Sequence, residues 1–328
     1  MQFVPYHQLD GRPHLVLDGS PTGGTVLCVT HWPGYPPPRA VAADLSAQMA
    51  FLLRDHPDLW AGVELVSNNH FDQDGTVAIH ALVDPASAVP NRALLEDVAA
   101  AGDFAVYRDR RAARISMVLS AFADGRSNLA LPDDYPGRCA VLYTEVLGRL
   151  HELCADVEPY RELWGDEDAT LTASEAAIDG SAVSITEHAD VDLAVVDVPP
   201  DAPSAGGHRF GGDWEPGLHP MAVHNATDRL VVATIRGRGY QVEERYETWV
   251  QLQSRPARRR RDLLALAARL QDEERGDAVW TATPVSGLVP MLRSGEGDSS
   301  IERDRFVAIV AAHLRTAPPA WDPFTPVG

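Results

Sequence analysis

The segment Asn68-Asn69-His70-Phe71-Asp72-Gln73-Asp74-Gly75 stands directly behind the apolar run Val63-Glu64-Leu65-Val66 and ahead of Thr76-Val77-Ala78-Ile79-His80-Ala81-Leu82. A strand-sized run, a polar turn and an apolar stretch of helical length, in that order, form a strand-turn-helix unit. A second unit of this kind lies upstream. There Thr25-Val26-Leu27-Cys28-Val29 reads as a short buried strand ending at Thr30-His31-Trp32-Pro33-Gly34. Pro36-Pro37-Pro38 blocks an immediate helix, and Leu45, Met49, Leu52 and Leu53 restore helical spacing over residues 44–54. The next strand covers residues 62–67. Strand, helix, strand, helix predicts an α/β fold, a mostly parallel sheet with flanking helices.

Ligands of such sheets gather beyond the carboxyl ends of the strands. The clusters around His31 and His70 both follow strand ends, so one rim is expected to carry both. In an extended turn, residues i, i+2 and i+4 point to one side, which lets His70, Asp72 and Asp74 converge as metal ligands. One imidazole and two carboxylates suit Mn²⁺, Zn²⁺ or Fe²⁺. Gly75 lets the backbone turn into the next element. The competing reading is a turn of helix-capping residues, since Asp and Asn are common there whatever the function. A calcium loop is excluded: Gly comes too early, and the twelfth position from Asp72 is Val83 rather than Glu.

A helix over residues 92–101 closes in Gly102-Asp103-Phe104, offering Asp103 as a further acidic donor. His31 and Asp103 are the candidate catalytic residues. Helices follow at 112–123 and 137–155, and Asp156-Val157-Glu158-Pro159 marks the boundary between an α/β metal-binding domain (1–158) and a smaller α+β domain (159–328). In the latter, a helical stretch reaches about residue 178. Strands are read at 182–187, 192–198, 230–235, 240–253 and 279–283, and helices at 261–274 and 301–315, the last capped by Asp298-Ser299-Ser300. The Gly- and Pro-rich stretch 199–217 reads as a loop. His219 and His224 lie off the i, i+4 spacing of a zinc pair. With Arg245 they are candidate contacts to a substrate anion, or surface residues without that role.

A chain of 328 residues favours two domains, and 45% hydrophobic with 23% charged residues is an ordinary globular composition. No run approaches about 18 apolar residues and no basic-then-apolar leader opens the chain, so the expectation is a cytoplasmic protein without a membrane partner. The formal charge is −19, and all 28 basic residues are Arg. Such a field repels a polyphosphate backbone and disfavours nucleic acid. The local exception, Arg255-Pro256-Ala257-Arg258-Arg259-Arg260-Arg261, reads as a solvated helix start. Cys28, Cys139 and Cys154 lack Cys-x-x-Cys spacing and suggest neither a disulfide framework nor a cysteine zinc site. The P-loop lysine, a Gly-x-Ser-x-Gly elbow and a dinucleotide fingerprint after the first strand are all missing from the sequence.

His70-Phe71-Asp72-Gln73-Asp74-Gly75 resembles the first motif, His-x-Asp-x-Asp-Gly, of the DHH phosphoesterases. That superfamily includes manganese-dependent pyrophosphatases, exopolyphosphatases and single-strand exonucleases, built from a larger α/β domain with two metals and a smaller C-terminal domain that closes over the phosphate. The resemblance implies metal ligation by His70, Asp72 and Asp74 and a second-motif role for Asp103. It is confined to this turn, with a faint echo in Gly206-Gly207-His208. The Asp-His-His motif expected downstream is replaced by an upstream element, Val29-Thr30-His31-Trp32-Pro33-Gly34, with Thr and Trp in two of its three places.

The leading expectation is a metal-dependent hydrolase of a small phosphate ester or anhydride, with Mn²⁺ the favoured divalent metal and His31 a ligand or general acid. Two others stay open: a non-catalytic metal- or nucleotide-binding protein, and a metal-dependent hydrolase of an amide or carbon ester.

Overall fold

The computed structural model describes residues 1–200, 202, 205–209, 212–295 and 297–325. The chain divides into two compact units, Met1–Ala169 with Gln251–Pro256, and Thr170–Val250 with Ala257–Gly328. The division falls within a helix, beyond the short turn Glu158–Tyr160 where the sequence suggested it.

The first unit holds strands β1 (Gln2–Phe3), β2 (His14–Leu17), β3 (Thr25–Val29) and β4 (Leu65–Ser67) in the order β1-β4-β2-β3, every neighbouring pair parallel. Leu15, Val16, Leu17, Val29 and Val66 are fully buried, as a sheet covered by helices requires. Its helices are α1 (Ser46–Leu53), α2 (Gln73–Val83), α3 (Pro85–Ala88), α4 (Arg92–Asp103), α5 (Arg110–Ala123), α6 (Tyr135–Leu147) and α7 (Leu150–Ala155), and α8 (Arg161–Asp179) spans the division. The caps follow from sequence: Asp72 takes Gly75 N–H at the start of α2, Asp109 takes Arg111 N–H at α5, and Asp134 takes Gly137 N–H at α6. The helix expected over 137–155 breaks between α6 and α7 at Gly148-Arg149.

Three adjacent strands matter most. The C-terminal ends of β4, β2 and β3 lead directly into Asn68–Asp74 positions, Asp18 and His31, side by side on one rim of the sheet. Helix α4 brings Asp103 to them from its last turn. It can do so because Gly102 lacks a side chain: a Cβ there would meet Gln73 Cβ at 2.4 Å.

The second unit contains β5 (Ser184–His188), β6 (Leu193–Val198), a described hairpin β7 (Ala205–Arg209) and β8 (Gly212–Gly217), α9 (Pro220–Ala226), β9 (Val231–Arg236), β10 (Gly239–Glu244), β11 (Arg260–Arg261), α10 (Leu263–Glu273), β12 (Thr281–Ala282), β13 (Met291–Arg293), α11 (Arg303–Thr316) and β14 (Pro319–Trp321). Its main sheet runs β12-β13-β10-β9-β6-β5, and only β6 and β9 pair in parallel. A mostly parallel arrangement therefore describes the first sheet alone, and the molecule as a whole is a mixed α/β protein. Residues of β6, β9 and β10 pack one face of this sheet on Leu263, Leu266, Leu270, Phe306, Ile309 and Val310 of α10 and α11.

Some local expectations change. The strand expected to reach residue 253 stops at Glu244, and Tyr246–Thr248 form a 3₁₀ turn. The stretch 199–217 contains the β7-β8 hairpin rather than loop throughout, and the side chains of Gly206-Gly207-His208 lie outside the described residues. Helix α11 has Glu302 at its N-cap, because Ser299 and Ser300 bond Glu274 instead. Among the described residues, no helix is long and apolar enough to cross a membrane.

Candidate metal centre

His31 is the most constrained member of the rim cluster. Its Nδ1 lies 2.7 Å from the Asp44 carbonyl, which can only accept, so Nδ1 carries the proton and Nε2 presents its lone pair. The surroundings hold this orientation: Gln251 N–H donates to the His31 carbonyl at 2.8 Å, and Asp44 Oδ1 accepts from Gln253 N and Ser254 N at 2.6 and 2.9 Å. Nε2 then faces Asp18 Oδ1 at 3.6 Å, Asp74 Oδ2 at 3.9 Å and Asp103 Oδ2 at 3.4 Å. Burial pulls the ring's pKa down against the pull of Asp18 and the Asp44 carbonyl, leaving it neutral at neutral pH. A second-nitrogen bond to a backbone carbonyl is how a metal-binding histidine is commonly oriented.

His70 behaves differently. Its Nε2 bonds Asp72 Oδ2 at 2.7 Å and lies 3.4 Å from Asp18 Oδ2. Burial works against its charge, but Asp72 and Asp18 outweigh this and raise its pKa well above the ordinary value. The Trp32 ring covers it, with centroids 5.0 Å apart. Asp72 is also the α2 cap through Oδ1, so the capping reading and the site reading hold at once.

Asp74 is fully buried and clamps the start of α1, accepting from Ser46 N at 2.8 Å and Ala47 N at 2.7 Å. Burial, Asp18 and Asp72 push its pKa well up in spite of those donors. Asp18 is 1% exposed, and its Oδ1 accepts from Ser46 Oγ at 2.8 Å. Its Oδ2 is buried with no hydrogen-bond partner. Burial tends to raise this acid, yet His70, His31 and Ser46 hold it below the ordinary carboxylate value.

Two donor sets result, Asp18 with His70 and Asp72, and Asp18 with His31 and Asp74. In each, the ligating atoms lie within 4.8 Å of one another, so each could hold a metal ion. Two imidazoles and an excess of carboxylate oxygens fit a divalent first-row ion, and Asp18 Oδ2, which makes no hydrogen bond, offers a ligand atom.

The structure thus brings together His31, His70, Asp72, Asp74 and Asp103, all of the first unit. It adds Asp18, which the sequence reading passed over although Val16-Leu17-Asp18-Gly19 is another apolar run ending in an acid. The other candidates belong to the second unit, where their bonds go to the chain itself. His219 caps α9, accepting from Met221 N, and its N–H donates to Ser174 Oγ. Arg245 donates to the Thr227 carbonyl and to Glu247, buried among them. His224 faces Glu243 at 3.2 Å on the wall of a cavity of about 560 Å³.

No curated protein and no solved structure matches the chain. The family model described as "Family of unknown function (DUF6687)" matches residues 1–325, and with a match over nearly its whole length the chain belongs to that family.

Proposed function

We propose that the first unit is a divalent-metal-dependent hydrolase of a small phosphate ester or anhydride, with Mn²⁺ the favoured ion. The observation that carries the reading is the position of Asp18, shared by two histidine-and-carboxylate sets at the ends of three adjacent parallel strands. Bound there, divalent ions supply Lewis acidity, which polarises a phosphoryl oxygen and lowers the pKa of water toward neutrality. The chain provides the donors: His70 and Asp72 on one side of Asp18, His31 and Asp74 on the other, and Asp103 beside His31. With Nδ1 committed to Asp44, His31 offers Nε2, which supports a ligand's role over that of general acid.

The same placement supports a DHH-like centre. The histidine of Val29-Thr30-His31-Trp32-Pro33-Gly34 precedes the His-x-Asp-x-Asp-Gly turn in the chain, yet it meets Asp74 in space. The charge of −19 favours a small phosphorylated substrate over a polyanion.

The test combines metal analysis of protein purified without chelator, a phosphatase panel with added Mn²⁺, and the double variant Asp72→Asn, Asp74→Asn. The expected result is bound metal and Mn²⁺-dependent phosphate release by the wild type. The double variant should lose both, together with the roughly 2.7 kcal/mol of stabilisation that metal at 100 times its Kd would give. Metal without turnover of any phosphorylated compound would replace this reading with a binding protein. Turnover of amides or carbon esters alone would change the substrate class, and wild-type protein that binds no metal would end the proposal.

A further inference from the structure

A polar niche lies beside the shared carboxylate. Asp18 Oδ2, Asn68 Nδ2 and the Tyr143 hydroxyl are each buried without a hydrogen-bond partner. All three surround one point, the position that a Cβ on residue 75 would take: 2.2 Å for Asn68 Nδ2, 2.8 Å for the Tyr143 oxygen and 3.1 Å for Asp18 Oδ2. Only glycine leaves that point open.

The groups are chemically complementary. A carboxylate oxygen accepts, an amide nitrogen only donates, and a phenol at neutral pH has one proton to give. Their orientations are set independently of one another. Asn68 Oδ1 takes the His70 N–H at 3.3 Å, which turns Nδ2 toward the niche. Tyr143 is fully buried on α6, with Phe3 tilted against its ring at 4.8 Å and Phe71 edge-on at 5.2 Å. Gly19, next to Asp18, gives the asparagines room, since a Cβ there would meet Asn69 Oδ1 at 2.2 Å and Asn68 Oδ1 at 2.7 Å.

We infer that Asn68 and Tyr143 are positioning residues for Asp18: neither is bonded to Oδ2 in the metal-free chain, and their two donors line the space that Gly75 leaves beside it, placed to close on the carboxylate when it takes metal between the two ligand sets. The inference rests on the metal-centre reading. Carboxylate ligands are commonly fixed by such outer hydrogen bonds, and losing one costs about 10–100-fold in metal affinity. Tyr143→Phe keeps the ring packing and removes only the hydroxyl.

The experiment is calorimetric titration of Mn²⁺ into chelator-treated wild type, Tyr143→Phe and Asn68→Leu, with metal-free melting curves for each. The expected result is Mn²⁺ affinity reduced about 10–100-fold in both variants, while the metal-free melting temperature of Tyr143→Phe does not fall, because an unsatisfied buried hydroxyl has been removed. A purely structural tyrosine would show the reverse, lower metal-free stability with unchanged affinity, and that would overturn the inference. Should Tyr143→Phe not fold, Asn68→Leu decides it: wild-type affinity there overturns the inference too. Failure of the wild type to bind Mn²⁺ would remove the metal centre itself, a different outcome from equal binding by wild type and variants.

Discussion

Glu274 in the second unit and Asp18 in the first are both buried carboxylates, and they are treated in opposite ways. Glu274 receives the Ser299 and Ser300 hydroxyls, the N–H groups of Arg275, Gly276 and Ser300, and the Trp280 indole. Nearby in sequence, the fully buried Arg260 spends its guanidinium on Thr248 Oγ1 and on the carbonyls of Val285, Gly287 and Leu288. Asp18 receives one hydroxyl, and its Oδ2 has no hydrogen bond, only His70 Nε2 at 3.4 Å, with further acids close by. A buried charge compensated by its own chain is architecture. One flanked by oriented imidazoles and further carboxylates could hold an external cation, and the contrast distinguishes scaffold from candidate site here.

The contrast can be broken by substitution. Asp18→Asn should have the largest effect: Mn²⁺ binding lost and activity reduced beyond the roughly 100-fold limit for outer-shell changes, with metal-free stability lower because the charge that His70 and His31 favour is gone. Titration calorimetry and melting curves check both halves, and retained binding would count against a shared carboxylate. Arg260→Met comes next. It strands three carbonyls and takes away the guanidinium 3.8 Å from the buried Glu244, so urea unfolding should show a loss of about 3–5 kcal/mol with unchanged Mn²⁺ affinity.

Glu274→Gln removes charge-assisted hydrogen bonds and should cost about 2–3 kcal/mol, again without touching metal binding. If it altered affinity, the two regions would not be separable as described. The smallest effect concerns pH. Burial tends to raise the Glu274 carboxyl, but its serine and backbone donors outweigh this and hold it below its ordinary value of 4.5. A folded value depressed in this way contributes stability above pH 4.5 that is lost as pH falls below it toward the folded value. Acid titration of stability should therefore be shallower for Glu274→Gln than for the wild type, and parallel curves would show that the donor shell has no such role.

Much of the site was legible because strand-to-helix transitions announce themselves. The 68–75 turn and His31 each follow an apolar strand, and the α/β rule puts such positions on one rim, whereas Asp103 comes from the last turn of a helix. Asp18 obeys the same rule, but Asp-Gly there also reads as an ordinary turn. In the second unit, charge misled. The Arg255–Arg261 run looks solvated, yet Arg260 is fully buried with its pKa pushed down to about 10 by burial, while Arg258 and Arg259 pair with Asp192 and Asp322. Partners brought from remote sequence decide such cases, as they do for Ser299 and Ser300, whose hydroxyls serve Glu274 rather than the following helix.

The central claim, one carboxylate shared by two cation sites, is tested most directly by counting Mn²⁺ bound per chain in metal-stripped wild type and in Asp18→Asn. The account predicts two ions for the wild type and none held tightly by the variant. Equal stoichiometry in the two proteins, or no Mn²⁺ on the wild type, would contradict it.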